Sequence, residues 1–288
     1  MKCGTVALIG RPNVGKSTLV NSLIGQKVAI TSPKAQTTRF AIHALYQDER
    51  GQIIFVDTPG IFNKTKDALS KKINQKSSEA FSTDTDVIIY LIDHTRHRDF
   101  EEAKVLGMVR KINKPKILVF NKDDITEPTY LPQYKFLEDE FKDIFYVSAL
   151  ENKGLKPLLN KIFEYLPETK EKMIEDNEYV HPALNMDSKM FLAEIIREKV
   201  FLKTRKEIPY TTTVIIDEIT EKKGNVTYIK ARILTSDEKY RPILIGQGAR
   251  RIKEIGTMAR KELETATKRK IFLDLHVEVD KHWVQTLA

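Results

Sequence analysis

Eight residues, Gly10-Arg11-Pro12-Asn13-Val14-Gly15-Lys16-Ser17, restrict this chain more than any other stretch. An apolar run, Thr5-Val6-Ala7-Leu8-Ile9, leads in, and a helical pattern, Thr18-Leu19-Val20-Asn21-Ser22-Leu23-Ile24, leads out. Strand, glycine-rich turn and helix start, in that order, fit the phosphate-cradling pattern GxxxxGK[ST]. Unpaired N–H groups at a helix N-terminus, in the field of the aligned peptide dipoles, attract an anion. Gly15 lets the backbone close around a phosphate, Lys16 can neutralise β- and γ-phosphate oxygens, and Ser17 offers a hydroxyl to Mg2+.

The first half of the chain goes on alternating apolar bursts with helix-length stretches. Strands are expected at Gly4–Ile9, Ile42–Gln47, Gln52–Asp57, Val87–Asp93, Lys116–Asn121 and Ile144–Val147. Helical patterns fall near Ala68–Phe81, Phe100–Ile112, Pro132–Glu140 and Gly154–Tyr165. This alternation indicates a mainly parallel six-stranded sheet covered on both faces, with ligand chemistry beyond the strands' carboxyl ends. Leu166-Pro167 stops the last helix, and a charged stretch poor in apolar residues follows. The expected division is a first unit over 1–168, a connector over 169–182 and a second unit over 183–288.

The second unit changes character. A helix capped by Asp187 or Ser188 buries Leu192, Ile195, Ile196 and Val200. Two β-rich runs, Thr211–Thr220 and Val226–Thr235, read as a hairpin around Glu221–Asn225. Pro242–Gly246, a glycine turn, a long helix from Ala249 to Thr267 and a strand Ile271–Val279 complete a small α+β layer.

Composition narrows the class. At 288 residues, with 41% apolar and 31% charged residues, the chain can bury one large core or two ordinary ones. Its formal charge of +8 favours nucleic acid or an anionic surface, and equally serves solubility. Cys3 is the sole cysteine, which excludes an intrachain disulfide and suits a reducing compartment. No run is long and apolar enough to cross a bilayer, and the first strand begins almost at Met1, so a cytoplasmic protein is expected. The six histidines are scattered without metal-ligand spacing. His94 and His97 read as an exposed loop pair, Cys3 as packing, and Trp283 as an anchor for the carboxyl terminus.

Four further segments make sense beside the phosphate loop. Asp57-Thr58-Pro59-Gly60 ends a strand, where a carboxylate can hold a metal-bound water and the Gly60 N–H can donate to a γ-phosphate. Asn121-Lys122-Asp123-Asp124 ends another, and the Asp124 carboxylate can accept from guanine N1–H and the exocyclic amine. Adenine would leave that carboxylate unpaired, a strong discrimination. Ser148-Ala149 follows a third strand, placing the Ala149 N–H to reach guanine O6. Thr37-Thr38-Arg39 precedes the second strand, placed to add a hydroxyl to Mg2+ when a γ-phosphate is present.

Together these segments resemble the five motifs of the translation-factor-related GTPases, in family order. The resemblance implies an α/β P-loop NTPase domain that binds phosphates through Gly10, Asn13, Val14, Gly15, Lys16, Ser17, Thr18 and Gly60. It implies Mg2+ held by Ser17, Thr38 and, through water, Asp57, and guanine read by Asn121, Lys122, Asp124, Ser148 and Ala149. Thr37, Thr38, Asp57, Thr58, Pro59 and Ile61 would belong to the switches, and the segments expected to differ between the GTP and GDP states are Ile30–Phe40 and Gly60–Phe81. Many regulatory GTPases carry glutamine where this chain has Ile61. An isoleucine cannot orient water, so hydrolysis would rest on loop electrostatics, Mg2+ and a group added from elsewhere. Relatives with this substitution are slow hydrolases, several of them using K+ at the asparagine that is Asn13 here.

Charge gathers in the second unit. From Lys239 to Lys270 ten basic residues stand against three acidic ones. Within the long helix Ile252, Ile255, Ala259, Leu263 and Ala266 form a core stripe, leaving Arg250, Lys253, Lys261 and Lys268 for phosphates. Pro209-Tyr210, Leu244-Ile245-Gly246, Ile252-Lys253-Glu254-Ile255-Gly256 and Ala193–Lys199 resemble the type II KH domain of the Era family. With GRPNVGKSTL and Lys34–Arg39, the similarity covers nearly the whole chain. It implies ribosome assembly, with the 3′ end of small-subunit ribosomal RNA and the 30S subunit as partners. Gly246, Gln247, Gly248, Ala249, Arg250, Arg251 and Lys253 would contact RNA.

Two departures stand out. The family's loop is GxxG, whereas here the last position is Ala249, which tolerates positive φ poorly. The approach Leu184–Met190 lacks the family's usual arginine. Three functional classes fit these residues: a GTP-driven RNA-binding assembly factor, a GTPase acting at a protein or anionic inner-membrane surface, and an RNA-binding module with a vestigial nucleotide site. The first uses both halves of the chain. Nothing signals oligomerisation, and a monomer is expected.

Overall fold

The computed structural model describes residues 1–27, 29, 42–57, 85–173, 188–222, 226–267 and 269–284. Its contacts divide the chain into two units, Met1–Asn185 and Met186–Ala288. Expectations for 30–41, 58–84, 174–187 and 223–225 fall outside the described residues. They include Thr37, Thr38, Thr58, Pro59, Gly60, Ile61, the helix near Ala68–Phe81 and most of the connector.

The first unit is a six-stranded sheet in the order β2-β3-β1-β4-β5-β6. The strands are β1 (Lys2–Ile9), β2 (Ile42–Asp48), β3 (Gly51–Asp57), β4 (Val87–Asp93), β5 (Lys116–Asn121) and β6 (Asp143–Val147). Only the β2–β3 pair is antiparallel. Every residue of β4 is buried, as a central strand covered on both faces requires. One face carries a core of Val6, Leu8, Leu19, Phe55, Ile89 and Ile162 beneath α1 (Lys16–Ile24) and α3 (Leu155–Tyr165). The other packs Ile9, Tyr90, Val105, Leu118 and Tyr134 beneath α2 (Phe100–Lys111).

One expected helix differs. Residues Leu131–Asp139, anticipated as α-helical from Pro132 onward, form 3-10 turns. The segment buries Tyr134 and Leu137, three residues apart. A helix with three residues per turn puts that pair on one line.

β1 lies between β3 and β4: the chain leaves it for β2 and β3 on one side and then crosses to β4 on the other. That makes its carboxyl end the switch point where α/β sheets open a crevice. Register brings the other polar strand ends to the same edge. Leu8 pairs with Asp57, Asp93 with Asn121, and Asn121 with Val147.

The second unit contains α4 (Ser188–Lys203), the strands β7 (Thr212–Lys222) and β8 (Val226–Thr235), the short α5 (Arg241–Ile245), α6 (Arg250–Thr267) and β9 (Lys270–Val279). Its sheet runs β7-β8-β9, antiparallel then parallel. Leu192, Ile195, Ile196 and Val200 of α4 are buried, as are Ile255, Ala259 and Leu263 of α6. Trp283 is buried and its Nε1–H donates to the Thr211 carbonyl at 3.2 Å, an anchor rather than a stacking platform.

Candidate functional site

The loop between β1 and α1 is shaped by close approach. Gly15 has φ +100°, and a Cβ there would lie 2.2 Å from Asn121 Nδ2. Only glycine admits both the conformation and the neighbour. Asn13 also takes a left-handed φ of 64°, which asparagine tolerates better than most residues. Lys16 Nζ donates to the carbonyls of Gly10 (3.1 Å) and Arg11 (3.0 Å). Burial pulls its ammonium down from 10.5 to about 8, against the carboxylates of Asp57 and Glu102, which pull it up.

Ser17 Oγ donates to Asp57 Oδ2 at 2.5 Å, so a hydroxyl from α1 meets a carboxylate from β3. Two hard oxygen donors in contact beside a phosphate loop are the donor set that Mg2+ accepts.

Asn121 braces the site. Its Nδ2 donates to the Val14 carbonyl at 2.8 Å, and its Oδ1 accepts from the Ala149 N–H at 3.0 Å. The side chain thus ties the phosphate loop to the segment after β6. An acceptor on a base would compete with Asn121 for the Ala149 N–H. Ser148 Oγ donates to Asp124 Oδ1 at 2.5 Å and accepts from the Glu151 N–H at 3.1 Å. Lys122, at φ 70°, places Nζ 2.5 Å from Asp93 Oδ2.

Several residues in this frame were not singled out from the sequence. Arg11 is fully buried, with Nε 2.6 Å from Glu102 Oε2 and Nη1 2.9 Å from Asp99 Oδ2. Tyr90 OH donates to Glu102 Oε1 at 2.6 Å. Burial raises the Glu102 carboxyl, and the Arg11 charge opposes the rise. Asp99 also caps α2, accepting from the Glu102 N–H. The one signal in the sequence was Asp93, a lone acid ending an apolar run. His94 corrects an expectation: it is buried, not an exposed loop residue. Its ring nitrogens lie 3.1 Å from the Lys122 carbonyl and 3.2 Å from Thr129 Oγ1, holding the turn after β5. His97 is exposed, as expected.

In the second unit Gly246 leaves α5 at φ 74°, ψ 166°, and a Cβ there would meet Arg251 Cβ at 2.9 Å. Gln247–Ala249 form a 3-10 turn leading into α6. Gly248 has φ 57°, and Ala249 itself takes φ 61°. Alanine therefore occupies a left-handed position, a strain of about 1–2 kcal/mol. Arg250 is exposed and its Nε lies 3.1 Å from Glu254 Oε1, and Arg251 Nη1 donates to the Ile243 carbonyl. Lys253 is exposed.

A phosphate loop at a switch point, an Asn-Lys-x-Asp strand end braced against it, and a separate helix–hairpin–helix–helix–strand unit define a class: P-loop GTPases that carry a KH domain. A model described as 50S ribosome-binding GTPase matches residues 5–122, and a KH-domain model matches residues 207–284. GTPase Era of Halothermothrix orenii is 38% identical over 284 residues, 98% of this chain and 94% of its own length. That of Thermotoga maritima is 38% identical over 287 residues, 98% of this chain and 93% of its own. The chain belongs to the Era family of GTPases.

Solved structures agree. A variant of Aquifex aeolicus Era bound to GDP and AlF4− superposes with a TM-score of 0.91 at 36% identity, covering 100% of this chain and 97% of that one. Era in complex with MgGDPNP and nucleotides 1506–1542 of 16S ribosomal RNA gives the same score and identity, covering 100% and 96%.

Proposed function

We propose that this chain hydrolyses GTP slowly at the head of α1 and uses the nucleotide state to capture and release the 3′-end region of small-subunit ribosomal RNA during 30S assembly. The observation that carries this reading is the full-length relation to Era, whose solved complex joins a magnesium nucleotide to 16S RNA. The 50S in the matched model's description belongs to a model spanning the first unit alone.

The chain's own residues act by position and charge. N–H groups of Asn13 to Thr18 face the phosphates, with Gly10 opening the loop, and Lys16 brings a cation already stripped of water. When bound, Mg2+ offsets charge on the β- and γ-phosphate oxygens, and Ser17, Asp57 and Thr38 would hold it. Asp124, held by Ser148, reads the guanine edge, while Asn121 and Lys122 keep that edge in register with the phosphate loop. Gly60 and Thr38 sense the γ-phosphate. Ile61 cannot orient water, so Asn13 would help hold a K+ ion that would supply the added positive charge. Gly246–Ala249 and the start of α6 clamp the RNA backbone, and Arg250, Arg251 and Lys253 meet its phosphates.

The test is calorimetry with GTP analogue, GDP and ADP, followed by titration of a 3′-end 16S oligonucleotide into each loaded form. Guanine nucleotides alone should bind, and the analogue-loaded protein should hold RNA more tightly. Equal affinity for ADP would remove the nucleotide reading, and equal RNA affinity in both states would remove the switch. Anionic vesicles in place of RNA test the membrane alternative, and no binding is expected. Turnover should be faster in K+ than in matched Na+ and should lose that difference in Asn13→Ala.

A further inference from the structure

The 246–249 loop begins α6, whose 18 residues carry the chain about 27 Å before it turns into β9. At that far end a shallow, open depression runs along the edge strand, lined by Arg260, Glu264, Arg269, Lys270 and Phe272. Its charges are uneven. Glu264 Oε1 accepts from the Ile271 N–H at 3.1 Å, and Arg269 pairs with Glu221. Arg260 and Lys270 are exposed and make no ion pair among the described residues.

Beside these cations lies an aromatic pair with no part in the core. The pleat buries Ile271 and Val277 and turns Phe272 outward, 59% exposed. Its ring lies 5.7 Å from that of Tyr228, its register partner on β8, at an interplanar angle of 20°. Tyr228 is fixed from two sides: its hydroxyl donates to Asp274 Oδ2 at 2.9 Å, and Lys222 Nζ stands 4.2 Å over its ring. The free aromatic face at this end is that of Phe272.

We propose that this end of the second unit is a further nucleic-acid contact. A single-stranded segment outside the nucleotides held by the 246–249 loop stacks a base on Phe272 and lays phosphates against Arg260 and Lys270. The proposal rests on the RNA-binding reading above. Every base has a π-face and every linkage a phosphate, so a ring beside the exposed cations Arg260 and Lys270 suits a single strand whatever its sequence. A protein partner would call for a broader apolar centre than one ring pair rimmed by charge.

The experiment compares a tetranucleotide, enough to fill the loop clamp, with a strand of about twelve nucleotides of the same small-subunit 3′-end sequence. Both are titrated into the full-length protein. Wild type should bind the longer strand more tightly. Phe272→Ala and Phe272→Leu should weaken only the longer strand, about tenfold, as expected for one lost base–aromatic stack. Phe272→Tyr should restore it. Arg260→Ala with Lys270→Ala should flatten the salt dependence for the longer strand alone. Unchanged tetranucleotide affinity shows that each variant is folded. If wild type binds both strands equally, or Phe272→Ala leaves the longer strand unaffected, this contact is overturned while the loop reading stands. If wild type binds neither, the RNA reading itself fails and this proposal with it.

Discussion

Lys16 is 6% exposed, and burial holds its ammonium at about 8 rather than 10.5. The folded value lies below the unfolded one, so between about 8 and 10.5 the unfolded chain binds more protons. Folding therefore gains from this residue as pH rises through that window, and charging Lys16 costs stability at lower pH. A bound triphosphate reverses the preference by favouring the charged form, so nucleotide binding above pH 8 should take up a proton. Calorimetry in two buffers of different ionisation heat should show uptake at pH 9 that disappears at pH 7, and Lys16→Arg should abolish it. A second prediction concerns Ala249 at φ 61°. Replacing it with glycine should relieve about 1 kcal/mol of strain, net of the extra freedom glycine gives the unfolded chain. Thermal unfolding of Ala249→Gly should shift upward, and its affinity for a 3′-end oligonucleotide should not fall. A lower midpoint would mean that the loop stores no strain there.

At the scale of elements, the phosphate loop and α2 are joined through one buried cation. Arg11 reaches Asp99, which caps α2, and Glu102 one turn further on, while Glu102 also receives the Tyr90 hydroxyl from β4. Breaking a buried pair from one side leaves an uncompensated charge, at a cost of about 3–5 kcal/mol, whereas removing both charges can be nearly neutral. Glu102→Gln should thus destabilise more than the double change Arg11→Met with Glu102→Leu. Denaturant titration of the three proteins measures the order. The double variant should still weaken nucleotide binding, because the loop loses its tie to α2. If it binds as wild type does, the pair has no part in shaping the loop.

Across the whole molecule, 48 basic residues against 40 acidic ones say less than where the basic ones stand. Several are committed: Arg250 to Glu254, Arg232 to Asp217 and Glu278, Lys199 to Glu198 and Glu262. Binding driven by phosphate contact should weaken linearly in log salt, with a slope of about −0.7 for each phosphate neutralised on a single strand. Reversing Arg250, Arg251 and Lys253 to glutamate should reduce both affinity and slope. A slope equal to wild type in a folded variant would place the RNA on another face.

The sequence by itself determined the order of elements and the chemistry at the strand ends. Local periodicity and glycine chemistry act over a few residues, so β4 and β5 run over the expected residues and α2 and α3 end within a residue of expectation. Gly15 was legible as a turn glycine, but its contact with Asn121 depends on two segments 106 positions apart. Only the tertiary structure decided how Asn121 divides its amide between Val14 and Ala149, why His94 is buried, and what Arg11 holds. It also decided that Leu131–Asp139 winds in threes, and that Phe272 and Tyr228 meet across two strands. Each of these turns on which distant groups share a low-dielectric interior or a single sheet face, and a linear pattern carries no record of such neighbours.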